Sequence, residues 1–395
     1  MGGPLEGLKQ VAGFAHPRVA RRLHDAGALD PKALLGLLAG LPWLIGRGPS
    51  LGIMSHMHAV GLGNKIALHD RHGSLTWSEL DGRANRVAHT LQALGLGPND
   101  RVAMLLRNGR EIVEVILGAQ KTGIVSCPLN TWAKPRELES TLGAARPKLL
   151  VYDTAHAEQV AECTPEDLSL LFVGDEAGAL EGSEAYEDLL AERPASPPTP
   201  FTRRAGSPKV IIHTSGTTGT PKGASRNASA AGVGSLANLL SVVPYRRDDI
   251  ILCPAPLFHS FGLATFTFGC VLGATFVLPE KFDPEESLRL IEEHRATAAS
   301  FIPVMIKRIV TLEEEVRSRH DLSALRIVLA SGSAMGPELR RAAIQTFGDA
   351  LYDLYGSTEA GWVAIATPQD MASSIKTVGR PVPGIDAAIF SAEGE

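Results

Sequence analysis

The chain has 395 residues, of which 44% are hydrophobic and 21% are charged, and its net charge at pH 7 is −5. This composition is typical of a soluble α/β protein, and the lack of a basic surplus argues against a nucleic-acid partner. The scattered cysteines Cys127, Cys163, Cys253 and Cys270 argue against a disulfide framework or a zinc site and favour a reducing, cytoplasmic location.

Residues 1–60 are predicted to be an N-terminal extension that is partly helical. Basic residues, among them Arg21, Arg22 and Lys32, precede or flank a stretch rich in Leu that runs from Leu34 to Ile45. This pattern is typical of a helix on a membrane surface, so residues 30–48 are a candidate peripheral membrane contact. A helix packed on the body of the protein is the alternative. The stretch is too short for a membrane-spanning helix and is no convincing signal peptide.

From residue 64 onwards, apolar runs alternate with helical patterns. Strands are predicted at 66–69, 75–77, 101–106, 123–129, 149–152 and 170–173, and helices at 78–94, with Ser78 as the cap, 111–121 and 135–144. After a proline-rich segment at 193–208, strands are predicted at 210–212, 249–253, 274–278, 299–302, 326–330 and 350–354, and helices at 227–243, 284–294 and 336–347. This alternation predicts an α/β protein with two β/α subdomains, residues 61–200 and 201–395, whose mostly parallel sheets pack together.

A glycine- and hydroxyl-rich loop follows the strand predicted at 210–212, and its sequence from Thr214 to Gly223 is TSGTTGTPKG. The glycines allow successive backbone N–H groups to form an anion-binding nest, and Lys222 adds a positive charge suited to phosphate. The common G-x-x-x-x-G-K-[ST] pattern is excluded because Pro221 takes the place of its second glycine. The loop predicts polyphosphate binding, with a flexible surface turn as the alternative.

Two segments later in the chain are suited to a flat ligand and a metal. In the run from Asp353 to Glu359, Tyr355 offers a ring for stacking, Gly356 permits a tight turn and Glu359 offers a carboxylate of the kind Mg²⁺ binds. Segment 331–334 holds only small residues, which allow close approach of a ligand. A helix-capping turn and an ordinary strand-to-helix turn are the respective alternatives.

His259 lies in the segment PLFHSFG, residues 256–262, and an apolar helix follows it. A second apolar group lies at residues 301–306. Both apolar segments fit a protein core as well as the wall of a pocket, and a hydrogen-bonded histidine at the end of a strand is the alternative for His259.

Together these motifs resemble the adenylate-forming family, the AMP-forming acyl-CoA synthetases, over residues 60–395. The T-S-G-T-T-G-x-P-K-G, Y-G-x-T-E and aromatic-His elements carry the resemblance. It implies the large domain of a ligase that uses ATP and Mg²⁺ to convert a carboxylic acid into an acyl adenylate. The acyl group then passes to a thiol, usually that of coenzyme A.

The resemblance also implies site residues. The implied nucleotide-binding residues are Thr214, Ser215, Gly216, Thr217, Thr218, Gly219, Lys222, Gly332, Ser333, Ala334, Asp353, Tyr355, Gly356, Ser357 and Thr358. The implied acyl-pocket residues are His259, Phe261, Gly262, Leu263, Phe301, Pro303 and Met305. Catalytic roles fall to Lys222, His259, Thr358 and Glu359, and Mg²⁺ binding to Thr214 and Glu359. Leu263 occupies the position of a tryptophan gate in some long-chain members, so we expect different gating or a different chain-length preference.

The family's ribose-binding Asp element, its hinge and its C-terminal lid with a catalytic lysine do not occur up to Glu395. We therefore expect the 395-residue chain to bind nucleotide weakly and to turn over little. A medium- or long-chain fatty acid is the favoured substrate, because no charged partner for an amino group accompanies His259. An aryl-acid ligase and a non-catalytic nucleotide- or acyl-binding module are the alternatives, and a homodimer is a candidate assembly.

We predict that Lys222→Ala and Thr217→Val weaken ATP binding and leave the fold intact, because each removes a donor from the phosphate loop. The loss of a charge-assisted hydrogen bond should cost about 1.5–3 kcal/mol of binding free energy. Calorimetric titration with ATP measures this cost, and unchanged affinity in both variants would exclude the loop from the nucleotide site.

Overall fold

The computed structural model describes residues 25–27, 31–47, 50–165, 167–199, 210–214, 222–226, 239–357, 361–383 and 385–388. These residues form two compact units. The first unit contains the described residues of 29–229 and 256–281, and the second contains those of 1–28, 230–255 and 282–395. Each unit is therefore assembled from separate stretches of chain.

The first unit is built from helices and mostly parallel strands. Its helices are α1 (Pro31–Arg47), α2 (Leu51–Leu62), α3 (Trp77–Ala93), α4 (Arg110–Thr122), α5 (Pro135–Ala145), α6 (Ala157–Cys163), α7 (Tyr186–Ala191) and α8 (Ser260–Leu272). Its strands are β1 (Ile66–Asp70), β2 (Gly73–Thr76), β3 (Arg101–Leu105), β4 (Val125–Pro128), β5 (Leu149–Asp153), β6 (Ser169–Val173), β7 (Glu184–Ala185), β8 (Val210–Thr214), β9 (Lys222–Arg226) and β11 (Thr275–Val277).

Seven of these strands form one sheet in the order β7-β6-β5-β3-β4-β8-β9. All neighbours in it are parallel except β8 and β9. Every residue of β5 is buried, as is all of β3 after Arg101, which is expected of apolar parallel strands covered on both faces. Separately, β1 pairs parallel with β11 and antiparallel with β2.

The second unit repeats the β/α pattern. Its helices are α9 (Pro284–Glu293), α10 (Pro303–Val310), α11 (Glu314–Arg317), α12 (Pro337–Phe347) and α13 (Pro368–Ser373), and its strands are β10 (Ile250–Leu252), β12 (Ala298–Phe301), β13 (Ile327–Ala330), β14 (Leu351–Ser357), β15 (Gly361–Ala366) and β16 (Arg380–Pro381). The strands lie in the order β16-β15-β14-β13-β12-β10, parallel from β10 to β14 and antiparallel beyond. The predicted α/β fold with mostly parallel sheets is confirmed.

The chain after the predicted phosphate loop differs from expectation. Before the predicted helix it forms β9, which pairs antiparallel with β8 and places Lys222 opposite Thr214. The prediction therefore missed a strand between the loop and the helix, formed because residues 222–226 pair with the backbone of β8. Of the helix predicted at 227–243, residues 239–242 are described and are helical.

The start of α3 also differs by two residues from the predicted cap at Ser78. Thr76 is the cap: its hydroxyl accepts a hydrogen bond from the Glu79 N–H at 3.2 Å, and the Glu79 carboxylate accepts one from the Thr76 N–H at 2.8 Å. This reciprocal pair is a capping box, and it includes Trp77 in the helix.

Helix α4 is the most completely buried helix of the described first unit, since every residue from Glu111 to Thr122 is buried. Lys121 donates to Asp81 of α3 at 2.6 Å, and Ser55 of α2 donates to the same carboxylate oxygen at 2.6 Å. Burial by itself would raise the pKa of Asp81, but the Lys121 charge and the hydrogen bonds lower it to about 2 from 3.8. The pair thereby ties three helices together.

About two turns earlier, α4 buries another charged side chain, Glu114. Arg83 of α3 donates to both oxygens of Glu114, at 2.6 and 3.1 Å, and the Tyr186 hydroxyl of α7 donates to it at 2.9 Å. Burial raises the pKa of Glu114, and Arg83 opposes that rise. Glu114 and Lys121 thus both have partners on neighbouring helices.

We predict that Lys121→Met lowers the free energy of unfolding by about 3–5 kcal/mol, because it leaves the Asp81 carboxylate buried without its cation. The pKa of Asp81 is lowered in the fold, so its contribution to stability is present above about pH 3.8 and is lost as the pH falls to about 2. Urea denaturation at several pH values between about 3.8 and 2 measures this loss. The free energy of unfolding should fall less over this range in Lys121→Met than in the unaltered protein. Lys121→Met/Asp81→Leu removes both charges and is the control, and a single variant no less stable than this control would contradict the prediction.

Candidate functional site

The phosphate loop closes a β-hairpin in the first unit. β8 ends at Thr214 and β9 begins at Lys222, and these two residues lie opposite each other. The predicted loop residues Ser215, Gly216, Thr217, Thr218 and Gly219 lie outside the described residues. The side chains of Thr214 and Lys222 also lie outside what is described, so the roles of the loop in phosphate binding stay predictions.

The Tyr355 element belongs to strand β14 of the second unit and not to the expected tight turn. Its end pairs antiparallel with β15, with a shift in register between Tyr355 and Gly356. A Cβ atom at Gly356 would overlap the carbonyl oxygen of Gly361, so the position requires glycine. Tyr355 is 59% exposed, so its ring can stack on a planar ligand. Ser357 ends the strand, while Thr358 and Glu359 lie outside the described residues.

The side chain of Asp353 contacts protein groups. Its carboxylate is buried and accepts from Arg340 Nε of α12 at 3.1 Å. Arg340 also donates to the carbonyl oxygen of Ile375 at 2.8 Å and to that of Thr377. Burial raises the pKa of Asp353, and Arg340 opposes that rise. The carboxylate therefore holds α12 and the segment at 375–377 against β14.

The small-residue segment lies directly beside this strand. β13 ends at Ala330, and the Ser331 hydroxyl donates to the carbonyl oxygen of Leu354 at 3.0 Å. Gly332 has φ +99°, which favours glycine, and a Cβ there would lie 3.2 Å from the Ile302 side chain. The structure thus brings the segment with Gly332, Ser333 and Ala334 to the strand that carries Tyr355.

The second apolar group belongs mainly to the core. Phe301 is fully buried, stacks on Phe347 with ring centroids 6.2 Å apart and meets Phe282 edge-on at 6.3 Å. Pro303 begins α10 and is buried, as is Met305. All three positions are thus buried, and their role in an acyl pocket stays a prediction.

His259 immediately precedes α8 in the first unit. The Leu257 N–H of the same turn donates to Asn108 Oδ1 at 2.9 Å, and Asn108 is buried. His259 is exposed to solvent, and partial desolvation by the surrounding protein lowers the pKa of its imidazole, which favours the neutral form at pH 7. Among the described residues, no charged side chain contributes to that shift. In α8, Gly262 and Leu263 are buried and Phe261 is half-buried.

Trp132 and Asn108 escaped the sequence analysis. Trp132 is 66% exposed. Its indole lies edge-on to Phe258, with ring centroids 5.4 Å apart, and its centroid lies 5.8 Å from that of the His259 ring. Phe258 and His259 are 4.6 Å apart. The sequence signal that could have pointed to Trp132 was its place in a short polar segment just before Pro135, where a helix begins. Asn108 gave none, because its partner is 149 residues away.

Magnesium binding stays a prediction. Within the described ranges, no group of three or more His, Cys, Asp or Glu residues could hold a metal ion. Of the two predicted ligands, Glu359 lies outside those ranges, and Thr214 is described only as the end of β8. A hydroxyl and a carboxylate are oxygen donors of the kind Mg²⁺ prefers, so the residue types fit.

Comparison with known families identifies the chain. The family described as AMP-binding enzyme matches residues 56–395. The chain belongs to the AMP-binding enzyme family. The match begins within α2 and therefore includes the phosphate-loop hairpin, the His259 turn and the Tyr355 strand.

Its relatives within the AMP-binding enzymes are ligases of several kinds. Fatty acid–[acyl-carrier-protein] ligase ScoC of Streptomyces coeruleorubidus is 28% identical, over 81% of this chain and 61% of the relative. 4-Coumarate-CoA ligase 1 of Narcissus pseudonarcissus is 30% identical, over 73% and 53% respectively. The amide bond synthetase McbA of Marinactinospora thermotolerans is structurally similar, with a TM-score of 0.76 and 26% identity over 88% of this chain and 68% of McbA. The chain spans little more than half the length of these two curated ligases.

We predict that Asn108→Ala weakens binding of an acyl-adenylate analogue, because it leaves the Leu257 N–H buried without an acceptor next to His259. The cost to stability should be about 1–3 kcal/mol. Calorimetry and urea denaturation measure the two effects. Asn108→Asp keeps an acceptor and serves as the control. A loss of stability with unchanged ligand affinity would show that the bond is structural only.

Proposed function

We propose that this chain supplies the nucleotide- and acyl-binding part of an ATP-dependent ligase for a medium- or long-chain fatty acid. The acid is activated as an acyl adenylate, and its acyl group is passed to the thiol of coenzyme A. The observation that carries the choice of substrate is the set of apolar groups near His259: the Phe258 ring lies 4.6 Å away between centroids, and Leu263 of the following helix α8 is buried. His259 itself is exposed, and partial desolvation lowers its pKa, with no charged side chain among the described residues contributing.

The proposed reaction has two steps, adenylation of the acid and transfer of its acyl group to a thiol. A carboxylate oxygen of the acid attacks the α-phosphorus of ATP, the bond to the bridging oxygen breaks, and pyrophosphate leaves. A thiol then attacks the acyl carbonyl carbon, and AMP leaves. Neutral His259 can donate one hydrogen bond to the carboxylate without adding charge, and Tyr355 would stack on adenine. Bound Mg²⁺ would neutralise phosphate charge, with Thr214 and Glu359 as its predicted ligands.

The relatives support this proposal in part. The Streptomyces ligase is named for a fatty acid, and its named acceptor is an acyl-carrier protein, so a protein-bound thiol is the second candidate acceptor. An aryl acid is the second candidate substrate. The exposed ring of Trp132 beside Phe258 and His259 favours it, as does the relation to 4-coumarate-CoA ligases.

Binding of non-hydrolysable acyl-adenylate analogues tests the proposal without requiring turnover. In these analogues a sulfamate replaces the phosphate, and the acyl group is octanoyl, dodecanoyl, hexadecanoyl or coumaroyl. We expect affinity to rise with alkyl length, by at most about 0.8 kcal/mol per buried CH₂, and to exceed that for AMP. His259→Ala should weaken binding of the acyl analogues while AMP affinity stays unchanged.

Three results separate the candidates in calorimetric titrations. Affinity that rises along the alkyl series supports a fatty-acid site. Tightest binding of the coumaroyl analogue would instead support an aryl-acid site. Equal affinity for all analogues and for AMP would mean that no acyl site exists, and the proposed function would fail.

A further inference from the structure

Helix α1 presents two different faces. Five of its leucines are exposed: Leu34, Leu35, Leu37, Leu38 and Leu41, with exposed fractions from 42% to 66%. At about 100° per residue they cover an arc of roughly 160° of the helix surface. Five neighbouring exposed leucines form an apolar patch of the kind that marks an interaction surface.

The opposite face of α1 packs against α2 through glycine. A Cβ atom at Gly36 would overlap the carbonyl oxygen of Met57, and one at Gly40 would lie 2.5 Å from the Met57 side chain. From the other helix, a Cβ atom at Gly61 would overlap the carbonyl oxygen of Lys32. Close contact of the two backbones therefore fixes which face is turned inward, and the leucines are held on the outside.

Charge is distributed unevenly along the chain. Residues 1–50 contain six Lys or Arg and three Asp or Glu, whereas the whole chain contains 38 and 43, which leaves 32 and 40 for the remainder. The sequence of α1 contains Lys32 and Arg47 and no acidic residue. The exposed leucines thus belong to a basic segment of an otherwise acidic protein.

We propose that α1 docks on the surface of an anionic lipid bilayer, with its axis along the surface and its leucines inserted among the acyl chains. An apolar helix face within a basic segment fits that partner, because leucine burial and attraction to anionic lipids act together. None of the helices in the described residues is both long and apolar enough to cross a bilayer, which agrees with docking at the surface. The sequence left two alternatives for this helix, a position on a membrane surface or packing on the body of the protein. In this proposal both hold, because one face of α1 packs on α2 while the other contacts lipid.

The charge distribution favours a bilayer over a second copy of the chain. Two copies joined through their leucine faces would bring two net positive segments together, and like charges repel. Anionic lipid headgroups would neutralise the same charges. A bilayer can therefore bury the leucines and neutralise the basic residues, whereas a second copy of the chain can only bury the leucines.

Sedimentation with vesicles tests the proposal on the 395-residue chain. Vesicles are equimolar phosphatidylcholine and phosphatidylglycerol, or phosphatidylcholine alone. We expect binding to the anionic vesicles, and a fall of about tenfold or more in the partition coefficient for Leu35→Gln/Leu38→Gln. Lys32→Glu should weaken binding to the anionic vesicles without removing a leucine. Val304→Gln, at an exposed apolar position outside α1, should bind like the unaltered protein.

Because the substituted leucines are exposed, we expect the variants to fold. Circular dichroism and thermal unfolding check that they do. Equal sedimentation of the unaltered protein and the double leucine variant would overturn the proposal. So would failure of the unaltered protein to sediment with either vesicle. A dimer in light scattering that the double variant converts to a monomer, without vesicle binding by either, would show that a second copy covers the leucines and would also overturn it.

Discussion

The buried charges of helix α4 constrain how the helices of the first unit pack. A helix buried along nearly its whole length has no water with which to solvate Lys121 or Glu114. Each charge must therefore meet its partner in the fold, because an isolated buried charge is far more costly than a paired one. Asp81 and Arg83 supply the partners from one helix, α3. The register of α3 against α4 is thus set by two contacts that lie about two turns apart on α4.

That constraint extends to the elements with candidate functional residues. Helix α4 follows the turn that contains Asn108, and the Asn108 side chain holds the backbone of Leu257 just before His259. The histidine is consequently positioned by contacts of its own turn with the protein core. Leu263 is nearly fully buried within α8. Any control of acyl-chain length at this position would therefore act through packing of the helix.

Local sequence predicted most of the fold, because apolar runs and helical periodicity report on burial within a few residues. The parallel strands β3, β5 and β13 and helices α4, α9 and α12 lie close to their predicted positions, and the family was recognised from short motifs. The β8–β9 hairpin was missed because its pairing depends on backbone hydrogen bonds across the loop. The Asp353–Arg340 pair and the Trp132–His259 proximity were missed because the partners are distant in sequence. The predicted roles of the loop residues and of Glu359 stay predictions.

The contacts of Arg340 bear on how the second unit would respond to a pulling force. Its guanidinium holds Asp353 on β14 and two backbone carbonyls at Ile375 and Thr377, whereas β16 beyond it pairs over only two residues. Force applied to the chain beyond β16 would separate that short strand first and then load the guanidinium. Rupture there would require several charge-assisted hydrogen bonds to break together, so Arg340 would act as a shear-resistant anchor for the strand that carries Tyr355.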